Sequence, residues 1–372
     1  MNGAELFVRC LENEDVEYIY GIPGEENIAV MDVLLDSPIK FITTRHEQGA
    51  AFMADVQGRL TGKAGVCLAT LGPGATNLIT GFADANMDHA PIVGIAGQGA
   101  TTRLHKESHQ ILDLVNLFEP ISKYSTQARE PEIIPEIVRK AFKLAQAEKP
   151  GGCFIDLPEN IAGAEVVGKQ PLKVQSAKIP TPPESKMVQA ADLISSARFP
   201  LIMAGNGVIR GNASDALVAF AEKLNIPVAT TFMAKGVIPF SHELSLGAVG
   251  LQASDYVSCG FNRADVIICI GYDIVEYHPE LWNHDKKPRL IHIDPSAAEV
   301  DEYYIVECGV TGDIRQALNT IAELATTSQE NNAFHLRQTI VDVIEADADS
   351  QAFPLKPQKI LWDLRQVLKP DD

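Results

Sequence analysis

No two cysteines in this 372-residue sequence form a CxxC pair. The six lie at 10, 67, 153, 259, 269 and 308, and Cys67, Cys153 and Cys269 sit in apolar, strand-like runs. They read as small buried hydrophobes in a reducing compartment, not as disulfides or zinc ligands. Positive charge is also scarce. Lys and Arg number 31 against 49 Asp and Glu, a formal net charge of −18, which argues against nucleic acid or an acidic membrane as partner. The N-terminus, Met1-Asn2-Gly3-Ala4-Glu5-Leu6, has no basic region leading into an apolar core. No apolar run reaches membrane-spanning length, so a cytoplasmic protein is expected.

What is present is ordinary globular chain, 46% hydrophobic and 22% charged, and too long for one core. Two α/β units are predicted. In the first, Glu17-Tyr18-Ile19-Tyr20, Ile39 to Thr43, Gly65 to Thr70, Pro91 to Ala96 and Cys153 to Asp156 read as strands. Helical patterns separate them, from about Glu26, over His46 to Leu60, over Pro73 to Met87 and over Glu132 to Ala147. Apolar runs without in/out alternation, divided by helices, mean a parallel sheet covered on both faces. The second unit has predicted strands at Pro200 to Ala204, Pro227 to Thr230, Asp265 to Ile270 and Leu290 to Ile293. The domain division is expected as 1–165, a linker over 166–184 that holds Pro171, Pro180, Pro182 and Pro183, a central domain over 185–327, and 328–372. In the last stretch Ile360, Leu361, Leu364, Val367 and Leu368 form an apolar stripe at helical spacing. It reads as the first helix of a third domain, with a helix docked back on the second unit as the alternative.

Three polar turns follow consecutive predicted strands: Gly21-Ile22-Pro23-Gly24-Glu25-Glu26-Asn27, Thr44-Arg45-His46-Glu47, and Thr70-Leu71-Gly72-Pro73-Gly74-Ala75-Thr76-Asn77. The carboxyl ends of strands in one parallel sheet share an edge, where open α/β sheets place their ligands. Gly72 and Gly74 allow close backbone approach and Pro73 suits a helix start. Glu47, on the first turn of its helix, is either an acid stabilised by the helix dipole or a proton donor. His105 and His109 are four apart, but no third metal ligand accompanies them, so no metal site is expected.

Together with Gly81-Phe82-Ala83-Asp84-Ala85, Gly97-Gln98, His109-Gln110 and Ser122-Lys123-Tyr124, these turns resemble the pyrimidine-binding domain of thiamine-diphosphate enzymes, and above all the acetolactate synthase group. The resemblance runs on through Ile270-Gly271-Tyr272-Asp273, Val275-Glu276-Tyr277 and Leu281-Trp282-Asn283, a Rossmann-like middle domain, and so covers essentially the whole chain. It implies that Glu47 hydrogen-bonds a ring nitrogen of the cofactor's aminopyrimidine and promotes the tautomer that takes the thiazolium proton. Two pyruvates would then give 2-acetolactate and carbon dioxide, in branched-chain amino acid or acetoin formation. By the same resemblance Pro23 and Gly24 approach the reactive carbon, Gln110 faces the reacting centre, Gly72, Pro73 and Asn77 belong to the cofactor turn, and Lys123 is a nearby basic group. Phe52 and Met53 offer Glu47 apolar surroundings.

The resemblance also implies Mg2+ and diphosphate binding by a Gly-Asp-Gly segment on a third domain, and a site built between two subunits of a homo-oligomer, dimer or tetramer. No Gly-Asp-Gly occurs in these 372 residues. A chain lacking that domain, inactive alone, is therefore the expectation. Gly205-Asn206-Gly207-Val208-Ile209-Arg210 has Arg210 in place of the third glycine of a dinucleotide fingerprint, which argues against NAD. Val249-Gly250-Leu251-Gln252 and Tyr272 to Tyr277 stand where FAD-carrying members have Met-His-Gly and Arg-Phe-Asp, which points to the catabolic, FAD-independent branch. A different 2-keto acid decarboxylase or carboligase, and a non-catalytic two-domain scaffold, are the alternatives.

Overall fold

The computed structural model describes residues 1–175, 178–250, 258–326 and 333–369. The chain forms two compact units, Met1–Lys178 and Ile179–Asp372. Residues 176 and 177 of the expected linker, and the boundary expected at 327, lie outside the described residues.

The first unit is a six-stranded sheet in the order β2-β1-β3-β4-β6-β5, every neighbouring pair parallel. Its strands are β1 (Tyr18–Gly21), β2 (Lys40–Thr43), β3 (Gly65–Ala69), β4 (Ile92–Gln98), β5 (Tyr124–Gln127) and β6 (Gly152–Pro158). The helices are α1 (Gly3–Asn13), α2 (Ile28–Leu34), α3 (Glu47–Thr61), α4 (Pro73–Asn77), α5 (Ile79–Met87), α6 (Leu114–Phe118), α7 (Ile134–Gln146) and α8 (Glu159–Gly163). The predicted helix over Pro73 to Met87 is two helices, divided at Leu78. Val66, Leu68, Val93 and Ile95 pack with α1 and α7, whereas Cys67, Ala69, Ile92 and Ala96 pack with α3 and α5. Successive residues of one strand thus enter different cores, which is why the strands read as unbroken apolar runs.

The second unit repeats the plan in the order β12-β11-β10-β7-β8-β9, again all parallel. Its strands are β7 (Pro200–Ala204), β8 (Val228–Thr230), β9 (Ser245–Ala248), β10 (Val266–Ile270), β11 (Arg289–Asp294) and β12 (Val306–Thr311). The helices are α9 (Glu184–Ser196), α10 (Gly207–Arg210), α11 (Ser214–Leu224), α12 (Ser258–Phe261), α13 (Pro279–Trp282), α14 (Ile314–Leu324), α15 (Ala333–Glu345) and α16 (Pro357–Val367). The five residues of the apolar stripe, four in α16 and Leu368 directly after it, are all exposed. No helix among the described residues is long and apolar enough to cross a membrane. The five cysteines with described side chains are free and buried.

Two devices hold the helices that matter for the site. On α6, Phe118 stacks on Phe154 of β6 at 3.8 Å, and Phe82 of α5 meets Phe118 edge-on at 5.2 Å. On α3, Arg59 ties that helix to α5. Its guanidinium donates to Asp55 at 2.8 Å, to Asp84 at 3.1 Å and to Asp88 at 2.9 Å. Asp55 is almost fully buried and burial pushes its carboxyl up, so it depends on the Arg59 charge. Replacement of Arg59 by Met is expected to destabilise the first unit by about 3 kcal/mol, because it leaves a buried carboxylate without its counter-charge. Urea unfolding of the variant, followed by circular dichroism, checks this.

Candidate active site

The chain leaves β1 toward β2 on one side and returns to β3 on the other. Loops from β1 and β3 therefore part at their carboxyl ends, and a crevice opens where a doubly wound sheet receives a ligand. The turns after β1, β2 and β3 all stand at this edge, as their sequences predict.

Glu47 is the first residue of α3 and only 8% exposed. The helix begins there because His46 is extended and its Nδ1 accepts the backbone N–H of Gln48 at 3.1 Å. His46 is thus a helix cap. Asn77, at the end of α4, donates from Nδ2 to Glu47 Oε2 at 2.9 Å. Asn77 neither caps a helix nor stands apart: it holds the carboxylate. Gly72 has φ of +53°, a conformation that favours glycine, and Pro73 starts α4 directly after it. A Cβ on Gly74 would stand 3.4 Å from Glu47 Oε1, so the bare backbone of that turn faces the carboxylate.

Pro23 is exposed, and the Gly24 N–H is bound at 2.9 Å by Oδ1 of Asn27, which is 2% exposed. Thr70 of the neighbouring turn donates to Glu26 Oε2 at 2.9 Å, which ties the first turn to the third. Gln110 is exposed with φ of +56°, and its backbone lies against Gly72. Pro23, Gly24, Glu47, Gly72, Pro73, Asn77 and Gln110 thus fall on three turns and one loop of a single edge. Asn27 and Glu26 are additions that sequence reasoning passed over. The signal for Asn27 is a side chain three residues after Gly24 that can reach back to its N–H.

Two expectations need correction. Lys123 lies at the opposite edge of the sheet, where its N–H binds Gly152 at the start of β6 and its ammonium donates to Ala147 O and Lys149 O. It is not near the turns. Met53 is 43% exposed and Phe52 is only half-buried, so neither encloses Glu47 in an apolar pocket. His105 and His109 sit in turns and not on a helix, so their spacing of four does not set them on one helical face.

At the other half of the same edge, Asp156 of β6 is 1% exposed, and burial pushes its carboxyl up to about 6. Gln127 donates to its Oδ2 at 2.6 Å and Gln98 lies 3.5 Å from that oxygen. Above pH 6 the folded and unfolded chains both carry the charge, and the folded chain bears its full desolvation. As pH falls through about 6 the folded protein gains a proton that the unfolded chain takes up only near about 3.9, so the cost is relieved. Asp156→Asn is expected to stabilise the protein by up to about 3 kcal/mol at about pH 8. Thermal melts of both proteins at descending pH should show the gain shrinking toward about pH 4.

In the second unit the turn after β7 crosses Gly271 closely, and its anion-seeking N–H groups are already taken. Both oxygens of Glu276 lie 3.1 Å from Asn206 N, one is 3.3 Å from Asp273 N, and the Thr231 hydroxyl donates to the other. The chain's own carboxylate fills the place a nucleotide phosphate takes in such a turn. Leu251 and Gln252, part of the other stretch that bears on FAD, lie outside the described residues.

Residues 1–117 match the thiamine pyrophosphate enzyme N-terminal TPP binding domain, and residues 187–321 match the thiamine pyrophosphate enzyme central domain. The chain is 36% identical over 396 residues to a probable acetolactate synthase large subunit of Methanocaldococcus jannaschii, across 100% of this chain and 65% of that protein. It is 35% identical over 369 residues to the acetolactate synthase of Bacillus subtilis, across 98% of this chain and 60% of that one. It is 33% identical over 380 residues to a protein of Raoultella terrigena named "acetolactate synthase, catabolic", across 100% of this chain and 67% of the relative. The chain thus spans roughly two thirds of the length of these curated relatives. With both domain matches falling on the two parallel sheets, and relatives of this similarity along its whole length, the chain belongs to the thiamine pyrophosphate enzymes.

Proposed function

We propose that these residues form the pyrimidine-binding and central domains of an FAD-independent, acetolactate-forming carboligase that joins two pyruvates with loss of carbon dioxide. The reading is supported most directly by the 2.9 Å bond from Asn77 Nδ2 to Glu47 Oε2 on the switch-point edge. The residues present fit thiamine diphosphate: a largely buried carboxylate, one oxygen held by an amide, and beside the other a turn whose glycine leaves backbone bare. When bound, that cofactor supplies the electron sink for decarboxylation of a 2-keto acid.

Asn77 orients the Glu47 carboxyl and occupies Oε2, so Oε1 is the atom at which a proton is held or shared with a ring nitrogen. Glu47 is only 8% exposed, and that burial limits water and strengthens the shared hydrogen bond. Asn27 fixes the Gly24 N–H, and through it the Pro23-Gly24 turn, at the mouth of the crevice. Gln110, exposed beside Gly72, is the side chain assigned to the substrate end. Mg2+ and diphosphate binding are assigned to chain outside residues 1–372, since these hold no Gly-Asp-Gly segment. Two such chains would build the site between subunits, in the cytoplasm.

Residues 1–372 with thiamine diphosphate, Mg2+ and pyruvate are expected to show no turnover, and the same residues joined to the diphosphate-binding domain are expected to form acetolactate. In that protein Glu47→Gln should keep its fold by circular dichroism and lose at least about 10²-fold in carboligation rate. An unchanged rate removes Glu47 from the reaction; a product other than acetolactate assigns a different 2-keto acid chemistry. The purified protein is also expected to be colourless, because Glu276 occupies the phosphate seat of the second unit. Flavin absorbance in the native protein, or flavin released on denaturation, would overturn the FAD-independent assignment.

A further inference from the structure

The carboxyl ends of β4, β6 and β5 carry a second constellation that takes no part in the Glu47 site. An open cavity of about 740 Å³ lies there, with Gln98, Gln127 and Asp156 among its lining residues. Both amides serve one oxygen of Asp156, its Oδ2. The other, Oδ1, is buried and has no hydrogen-bond partner. A buried acceptor without a donor is costly, and more so when it is charged. Such a group favours a ligand that brings a donor to it.

The remaining lining narrows the ligand further. Lys106 and Arg129 line the same cavity, are exposed, and make no ion pair among the described residues. Ile111, Leu114 and Val115 add apolar surface. Glu107 and Asp113 also line it, and the Asp113 charge opposes a second negative charge near Asp156. A ligand that satisfies all of these groups has a hydrogen-bond donor at one end, a carboxylate at the other and an apolar body between.

We propose that this cavity binds a small carboxylic acid bearing an ammonium or hydroxyl donor, with the donor on Asp156 Oδ1 and the carboxylate at Lys106 and Arg129. The site is separate from Glu47 and its three turns, so its occupancy can be tested without turnover.

Three size-matched probes decide it: L-phenylalanine, L-phenyllactate and hydrocinnamate, which carry an ammonium, a hydroxyl and no donor on the same body. Each is titrated into the 372-residue chain by calorimetry at about pH 8, where Asp156 is ionised. One or both donor acids are expected to bind at least about tenfold more tightly than hydrocinnamate, and the preferred one identifies the donor. Asp156→Asn, shown to be folded by its melt, should abolish the preference. Arg129→Ala, a change on the exposed rim, should weaken binding of the preferred acid severalfold. Equal affinity for all three acids, no binding of any, or a preference that survives Asp156→Asn overturns the proposal.

Discussion

A parallel sheet must be covered on both faces, and most of this molecule follows from that requirement. Each strand can reach its parallel neighbour only through a crossover, and the crossovers bury alternate strand residues in different cores. The same geometry sends every strand end of one polarity to one edge. The turns after β1, β2 and β3 are thereby gathered although some 20 residues of chain separate each from the next. The reversal of strand order at β1 then opens the crevice beside them. Strand polarity, more than any single contact, gathers Pro23, Glu47 and Asn77 at one edge.

Three carboxylates, Glu47 and Asp156 buried and Glu276 half-buried, show how differently such an edge can treat a charge. Glu276 is satisfied by the chain itself, through two backbone N–H groups and a hydroxyl. It closes an anion seat and looks inward. Glu47 accepts a single amide hydrogen bond and keeps one oxygen toward a bare turn. Asp156 has two amides on one oxygen and none on the other. The degree of satisfaction sorts the three: a fully bonded carboxylate is structural, whereas one with an open oxygen is poised toward a partner.

Much of the fold was legible in the chain. The apolar runs at Gly65 to Thr70, Pro91 to Ala96 and Asp265 to Ile270 can only be buried strands, and they are. The strands that escaped notice, β5, β9 and β12, are all at sheet edges. One side of such a strand faces no neighbour, so Tyr-Ser-Thr-Gln or Val-Glu-Cys-Gly-Val-Thr serves there without a continuous apolar pattern. The break at Leu78 was hidden for another reason: no proline falls between Gly74 and Met87, and the split shows only in the backbone.

By itself, the sequence determined the class of fold, the strand–turn–helix placement of Glu47, and the glycines that let backbone face a ligand, because these depend on local pattern and on residue type. The tertiary structure alone decided which groups meet. That Asn77 reaches Glu47 across 30 positions, that Lys123 stands at the far edge, and that Gln98 and Gln127 converge on one oxygen of Asp156 all depend on strand order and register. Strand order is set by how the two cores pack as wholes, and no local stretch of chain carries that information.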